Sequence, residues 1–435
     1  VYLSLKQYSQ TSGSLIETAL IAQYQLSEAE LEALKQGFGC GQGLLVIADG
    51  FDELGAGEAG YPNLSAQLAD WPHARLLVTS RPEYFDTAHP VSQVLRPSQG
   101  SLSSVFVSPF TPTEIERYIA HYERNQTTDT YKTLQALPGM MELLNNPFLL
   151  NLVLQSLPQL LKNTQGLRKI LRFHVYEAFA QTWFSQETKG REQYLKASAC
   201  HDFARGLAFE LFKAGVLSPQ PDYPALWDFF EAKAYEAARE ATPLRLSSGL
   251  YSFVHKSVYE YFLAEYLYAA LMTEKAAVWN ESSLVSEGPV ITFLVERSQS
   301  LSAEGRAAVH AQLFALVEGS KDTPAQAIAA ANAITVLNVA GVPFSGLDLS
   351  HVCIPGANLQ SAICHGTNFE GADLSRVNFN SAWLSRASFK HANLEDVDFG
   401  EWPAKNHESA VYASAYSPDG SLLAIGESNG LITIY

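Results

Sequence analysis

Basic residues are scarce in this chain: 29 Lys and Arg stand against 45 Asp and Glu, for a formal charge of −16. A large nucleic-acid footprint requires a basic face, so nucleic acid is not an expected partner. Cysteine is almost missing. Cys40, Cys200, Cys353 and Cys364 are scattered through 435 residues, which leaves no disulfide framework and no zinc spacing and points to a reducing, cytoplasmic compartment. No apolar run reaches the ~18 residues of a membrane span. Absent too is any G-x-x-x-x-G-K-[ST] loop able to cradle phosphates. The chain opens without Met, in strand-like Val1-Tyr2-Leu3-Ser4-Leu5, and stops inside the run Ile432-Thr433-Ile434-Tyr435. Both ends read as cuts in a longer protein, with no signal peptide.

What is present is globular: 47% hydrophobic and 17% charged residues, over a length that calls for three or more domains. The organising stretch is Leu44-Leu45-Val46-Ile47-Ala48-Asp49-Gly50-Phe51-Asp52-Glu53-Leu54. A continuous apolar run ended by Asp-Gly predicts a buried parallel strand. Ligands of open α/β sheets gather at the carboxyl ends of the strands, so Asp49 is a candidate ligand for a magnesium ion. Asp52 and Glu53 are candidates to orient an attacking water or to hold the metal from the other side. The plainer alternative is a buried strand followed by an acidic loop. A second strand, Arg75 to Ser80, brings Arg81 to the same sheet edge. There its guanidinium can fork onto phosphate oxygens, or pair structurally with Asp52 or Glu53.

Before these strands, helices are predicted over Ser14–Tyr24 and Ser27–Lys35, then a Gly-rich stretch from Gly37 to Gly43; a short helix near Leu64–Asp70 lies between them. Val105-Phe106-Val107 predicts a further strand. Phe110-Thr111-Pro112-Thr113-Glu114-Ile115 carries a full set of helix-start signals, with Thr111 at the cap and Glu114 closing a capping box. Phe110 and Ile115 can form the hydrophobic staple. Asn145-Asn146-Pro147-Phe148 follows in the helical part, where Pro147 suits the start of a helix. Leu167–Ala214 and Pro224–Arg239 read as helical, with Trp183 and Phe184 as core candidates. Leu244 to His255 predicts a hairpin turning at Ser248-Gly249, and helices followed by a hairpin imply a winged helix. Its DNA-binding use conflicts with the acidic balance. His255 opens the helix Lys256–Met272, where an imidazole beside free backbone N–H groups suits a phosphate, though a lone His is commonly structural. Thr273–Ala340 is Ala-rich, helix-forming and carries no visible chemistry, which reads as a spacer.

From Phe344 to Phe399, twelve large apolar residues stand at strict five-residue spacing, with small or β-branched residues such as Ala357, Ala362, Ala372 and Ala382 two positions before them. Neither the helix nor the strand period explains this; a fixed short period means a solenoid. The pattern resembles the pentapeptide-repeat family, which implies a right-handed quadrilateral β-helix of about three coils. Cys364 falls on its inward row and reads as packing. Arg376, Arg386 and Lys390 among the acids argue against DNA mimicry. His407–Tyr435, with Ser417-Pro418-Asp419-Gly420 between strand-like runs, resembles the first blade of a WD-repeat propeller.

The segment Leu44–Leu54, with Thr79-Ser80-Arg81-Pro82, Asn146-Pro147-Phe148 and Phe253-Val254-His255 followed by Glu260-Tyr261-Phe262-Leu263-Ala264, resembles the NACHT family of signal-transduction NTPases. The resemblance implies a multidomain chain: an α/β P-loop NTPase remnant over 1–110, a helical domain over 111–165 and a winged helix over 166–272. A helical spacer over 273–340, pentapeptide repeats over 341–400 and an incomplete blade over 401–435 complete it. It implies ATP/ADP and Mg2+ as cofactors, Arg81 as a sensor of the terminal phosphate, Pro147 near the adenine and His255 on the β-phosphate. The missing loop implies half a magnesium site, a missing central strand between Arg75–Ser80 and Val105–Val107, and no hydrolysis by these 435 residues alone. The expected function is a nucleotide-dependent signalling switch that reads a ligand or protein partner through its repeats and self-assembles. The alternative is a non-enzymatic interaction scaffold with a degenerate NTPase segment.

Overall fold

The run Leu44–Asp49 forms a strand between two parallel neighbours, but not the buried one expected: only Val46 and Ala48 are buried, and Leu45 is 46% exposed. In the computed structural model it is strand β2, flanked by β1 (Tyr2–Ser4) and β3 (Ala74–Val78), both parallel to it. The structure describes residues 2–4, 15–35, 44–51, 71, 74–81, 103–123, 129–193, 195–217, 226, 229–230, 232–247, 250–273, 275–400, 409–417 and 422–434. Asp52, Glu53, the Gly37–Gly43 stretch and the helix expected near Leu64–Asp70 lie outside them. Helices α1 (Leu15–Tyr24) and α2 (Glu28–Lys35) follow β1. Ser27 caps α2 in the expected box, its backbone N–H donating to Glu30 at 2.8 Å. Leu3, Ile16, Leu20, Leu31, Val46 and Trp71 close a small core of their own beneath this sheet.

Val105-Phe106-Val107 does not form the expected strand. The three side chains are 89%, 80% and 95% exposed, in extended chain without a ladder. A strand is defined by its partner, and among the described residues none lies beside this segment. The helix start after it is as expected. Thr111 N–H donates to Glu114 at 2.7 Å, opening α3 (Pro112–Glu123). Phe110 lies against Tyr118, with ring centroids 6.2 Å apart, while Ile115 is buried.

The helical part continues with α4 (Thr130–Gln135), α5 (Met140–Leu144) and α6 (Pro147–Asn163). Next come α7 (Arg172–Glu187) and α8 (Ala197–Ala214). The single helix expected over Leu167–Ala214 is thus two, separated around Gly190, whose φ of +77° ends a right-handed turn. Of the helix expected over Pro224–Arg239, the described residues show helical Leu226, Phe229 and Phe230, then a tight turn at Lys233–Tyr235 and α9 (Glu236–Ala241). Then β4 (Leu244–Ser247) and β5 (Leu250–Phe253) pair as an antiparallel hairpin, and α10 (Lys256–Met272) leaves it with His255 as its cap. Phe184 is 2% exposed; Trp183 donates its indole N–H to the Ala241 carbonyl at 2.9 Å.

Residues 288–339 make α11 (Gly288–Gln299), α12 (Ala303–Asp322) and α13 (Ala327–Val339). They cap the first coil of the solenoid. Ser320 Oγ accepts from Cys353 N, Thr335 Oγ1 accepts from Asn358 N, and Lys321 donates to the Asp348 carbonyl. Parallel bridges join Asp348 to Asn368, Cys353 to Asp373 and Asn358 to Asn378, each a step of twenty residues. Twenty is four fives, so each coil is four-sided. The corner residue of each five is left-handed, Gly at 346, 356, 366 and 371 but His351, Ser361, Arg376, Ser381, Arg386, His391 and Asp396 elsewhere. Phe344 through Phe379 on the inward row are buried, whereas Leu394 and Phe399 in the last coil are 38% exposed. One continuous core runs from Ile115 through the helices to Phe379. Among the described residues the chain closes in an antiparallel meander, β6 (Val411–Tyr416), β7 (Leu423–Glu427) and β8 (Ile432–Ile434).

Candidate functional site

Asp49 ends β2 at the carboxyl edge of the parallel sheet, as its place after an apolar run requires. Its two oxygens are held by hydroxyls: Tyr2 donates to Oδ2 at 2.6 Å, and Thr79 donates to Oδ1. Thr79 in turn accepts from Gly50 N–H at 3.0 Å, and its carbonyl accepts from Phe51 N–H at 2.8 Å. The tips of β2 and β3 are therefore stitched into one rigid edge. A carboxylate has about four lone-pair sites, so two hydroxyl donors leave Asp49 able to ligate a cation. Among the described residues no three acids, histidines or cysteines converge as a metal site.

Arg81 leaves that edge two residues after Thr79. Its guanidinium meets Glu260 of α10, Nη1 to Oε1 at 2.7 Å. The Glu260 carboxylate is 1% exposed, and its second oxygen has no hydrogen-bond partner. An ionised carboxylate cannot be buried without a counter-charge, so Arg81 is what allows Glu260 to sit inside the helical core. The pair joins the small sheet core to the large helical one.

One turn before Glu260, His255 caps α10. Its Nδ1 accepts from Ser257 N–H at 3.1 Å and from the Ser257 hydroxyl, which itself accepts from buried Tyr176 at 2.6 Å. Burial pushes the Tyr176 phenol up to about 12, so it remains a donor. With donors aimed at Nδ1, the ring proton belongs on Nε2. The ring lies flat on Phe148, centroids 3.9 Å apart and planes at 17°. Phe148 follows Pro147 at the start of α6, where Asn146 accepts from the N–H groups of Phe148 and Leu149 at 2.9 and 3.1 Å.

The structure thus brings Arg81 and His255 onto one helix end and sets the Pro147–Phe148 corner against His255. Asp49 is tied to the same strand edge as Arg81 through Thr79. Sequence reasoning named Glu260 and Thr79 only inside the segments that carry the family resemblance and gave neither a role of its own. A carboxylate inside the apolar run Val258–Ala264 was the available signal for Glu260. Thr79 left none, because its role is to meet Asp49 across the sheet.

Residues 353–390 and 362–400 match the sequence model of the family described as Pentapeptide repeats, in 8 copies. The C-terminal solenoid is therefore a run of pentapeptide repeats. No curated protein matches the chain. The matched span includes none of the residues nominated for nucleotide binding.

Proposed function

We propose that this chain is the switching part of a nucleotide-dependent signalling protein of the NACHT type, which reads a ligand or partner through its C-terminal repeats and self-assembles. The observation that carries the reading is the convergence of three distant segments on one helix end. Arg81 reaches Glu260, His255 caps the same helix, and Phe148 stacks on His255. In this reading Asp49 holds a magnesium ion, Arg81 the terminal phosphate and His255 the β-phosphate of ATP or ADP, with Asp52 and Glu53 orienting water. When bound, the nucleotide supplies the phosphoanhydride bond and the negative charge that Arg81 would take in exchange for Glu260. Support also comes from β3, at the edge of the described sheet with Leu77 50% exposed, and from the ladderless Val105–Val107. A strand and phosphate loop supplied from beyond these 435 residues would fit between them. Winged-helix topology for α7–α10 with the hairpin, a WD-type blade for β6–β8 and a cytoplasmic setting belong to the same reading. No helix among the described residues is long and apolar enough to cross a membrane.

The test uses the protein extended upstream to include a phosphate loop, titrated with fluorescent ADP. His255→Ala is expected to weaken ADP roughly tenfold or more, the scale of a lost charge-assisted hydrogen bond. Glu260→Gln, which releases Arg81, is expected to favour ATP over ADP and to shift the protein to larger assemblies on a sizing column. Equal nucleotide binding in all three proteins would sink the reading. The scaffold alternative has its own support in Trp383 and Ile363, 59% and 45% exposed and paired across two coils. Partner binding that is indifferent to nucleotide would favour it.

A further inference from the structure

A cleft of about 320 Å³ opens where α11, α12 and the lead-in to the solenoid meet. Ser298 and Gln299 come from the last turn of α11, Arg306 and His310 from α12, and Val342 and Pro343 from the link to the first coil. Arg306 and His310 are four residues apart, hence neighbours on one helix face. Arg306 is exposed and, among the described residues, has no ion pair, in a chain carrying −16. His310 is half-buried. Burial, and then the Arg306 charge, hold its pKa below the usual histidine value, so at neutral pH it is an uncharged ring that still donates one hydrogen bond.

Ser298 supplies the independent sign of a ligand. It is 4% exposed, and its Oγ has no hydrogen-bond partner. Buried hydroxyls are almost always paired, and Ser298 is one of the residues that line the cleft. Behind it a narrow crevice leads toward Trp279, with about 10 Å³ of free room, too little for more than one water.

We propose that this cleft binds a small organic monoanion, a carboxylate forked by Arg306 and hydrogen-bonded by Ser298 and His310, with a short apolar chain against Val342 and Pro343. One fixed positive charge matches one negative charge better than a phosphate dianion. The planar guanidinium matches the two oxygens of a carboxylate, and the apolar wall excludes a fully hydrated ligand. The site is remote from Arg81 and His255 in sequence and stands or falls apart from the nucleotide reading.

The probe is hexanoate, titrated into the full chain by calorimetry and ligand-observed NMR. Saturable one-site binding is expected, with hexan-1-ol, which has the same chain and no charge, silent over the same range. Arg306→Ala is expected to weaken hexanoate roughly 10- to 100-fold, the loss of a charge-assisted pair. Arg306→Lys keeps the charge without the fork and falls between. Because Arg306 is exposed and makes no ion pair, circular dichroism should show all variants folded. Hexanoate that does not saturate, equal affinity in Arg306→Ala, or tighter Arg306-dependent binding of inorganic phosphate would overturn the assignment.

Discussion

His201 sits between two aromatic rings, edge-on to Phe184 and Phe262 at 5.8 and 5.4 Å. Burial, with Arg205 adding to it, lowers its pKa to about 4. The unfolded chain therefore takes up a proton here, near pH 6.5, before the folded protein does. The stability this residue contributes is complete above that pH and is lost as pH falls toward about 4. The loss proceeds at up to about 1.4 kcal/mol per pH unit for one proton. Buried carboxylates such as Glu265, whose pKa is raised by burial, act with the opposite sign, so a difference measurement is needed. Urea unfolding of the wild type and His201→Phe between pH 7 and 4 should show the wild type losing more stability on acidification. Parallel curves would remove the imidazole from the account.

Within the solenoid the inward row is chemically uniform but not equally buried. Phe369 is fully covered and Phe399 is 38% exposed. Phe369→Ala should cost about 3–5 kcal/mol as a cavity in a closed coil. Phe399→Ala should cost less than half as much, in denaturant melts of the same chain; equal costs would mean that the last coil is closed by something else. Elements with a local code could be read from the chain: the five-residue period, the Thr111–Glu114 box, the hairpin and the existence, though not the full burial, of the strand before Asp49. Each depends on residues within a few positions of one another. The Arg81–Glu260 pair joins residues 179 apart, and the Phe148–His255 stack likewise joins different elements, so nothing nearby encodes either. Val105–Val107 misled because its composition fits a strand while pairing is decided elsewhere.

At the scale of the molecule, the helices from α3 onward and the solenoid are one folding unit. Their core is continuous from Ile115 to Phe379, and Phe314 of α12 packs edge-on against Phe344. The sheet at the start of the chain has a separate core. Native-state hydrogen exchange should accordingly give the same opening free energy for the amides of Phe262 and Phe369, and a lower one for Val46 and Leu76. A solenoid that unfolds before α10 would show two units where one is expected.

The side chain of Asn338, at the end of α13, donates to the carbonyl of Asn358, and below that stand Asn378 and Asp398 in turn. Asn358, Asn378 and Asp398 thus stand in one line down the coils, with Asn338 of the helical cap hydrogen-bonded at its top. With strand spacings of about 4.7–4.9 Å, the two bridged steps set Asp398 roughly 10 Å beneath Asn358, on the same side of the solenoid. The repeats act as a stiff standoff of fixed height, so a tilt of the helical cap would be handed on to whatever hangs below.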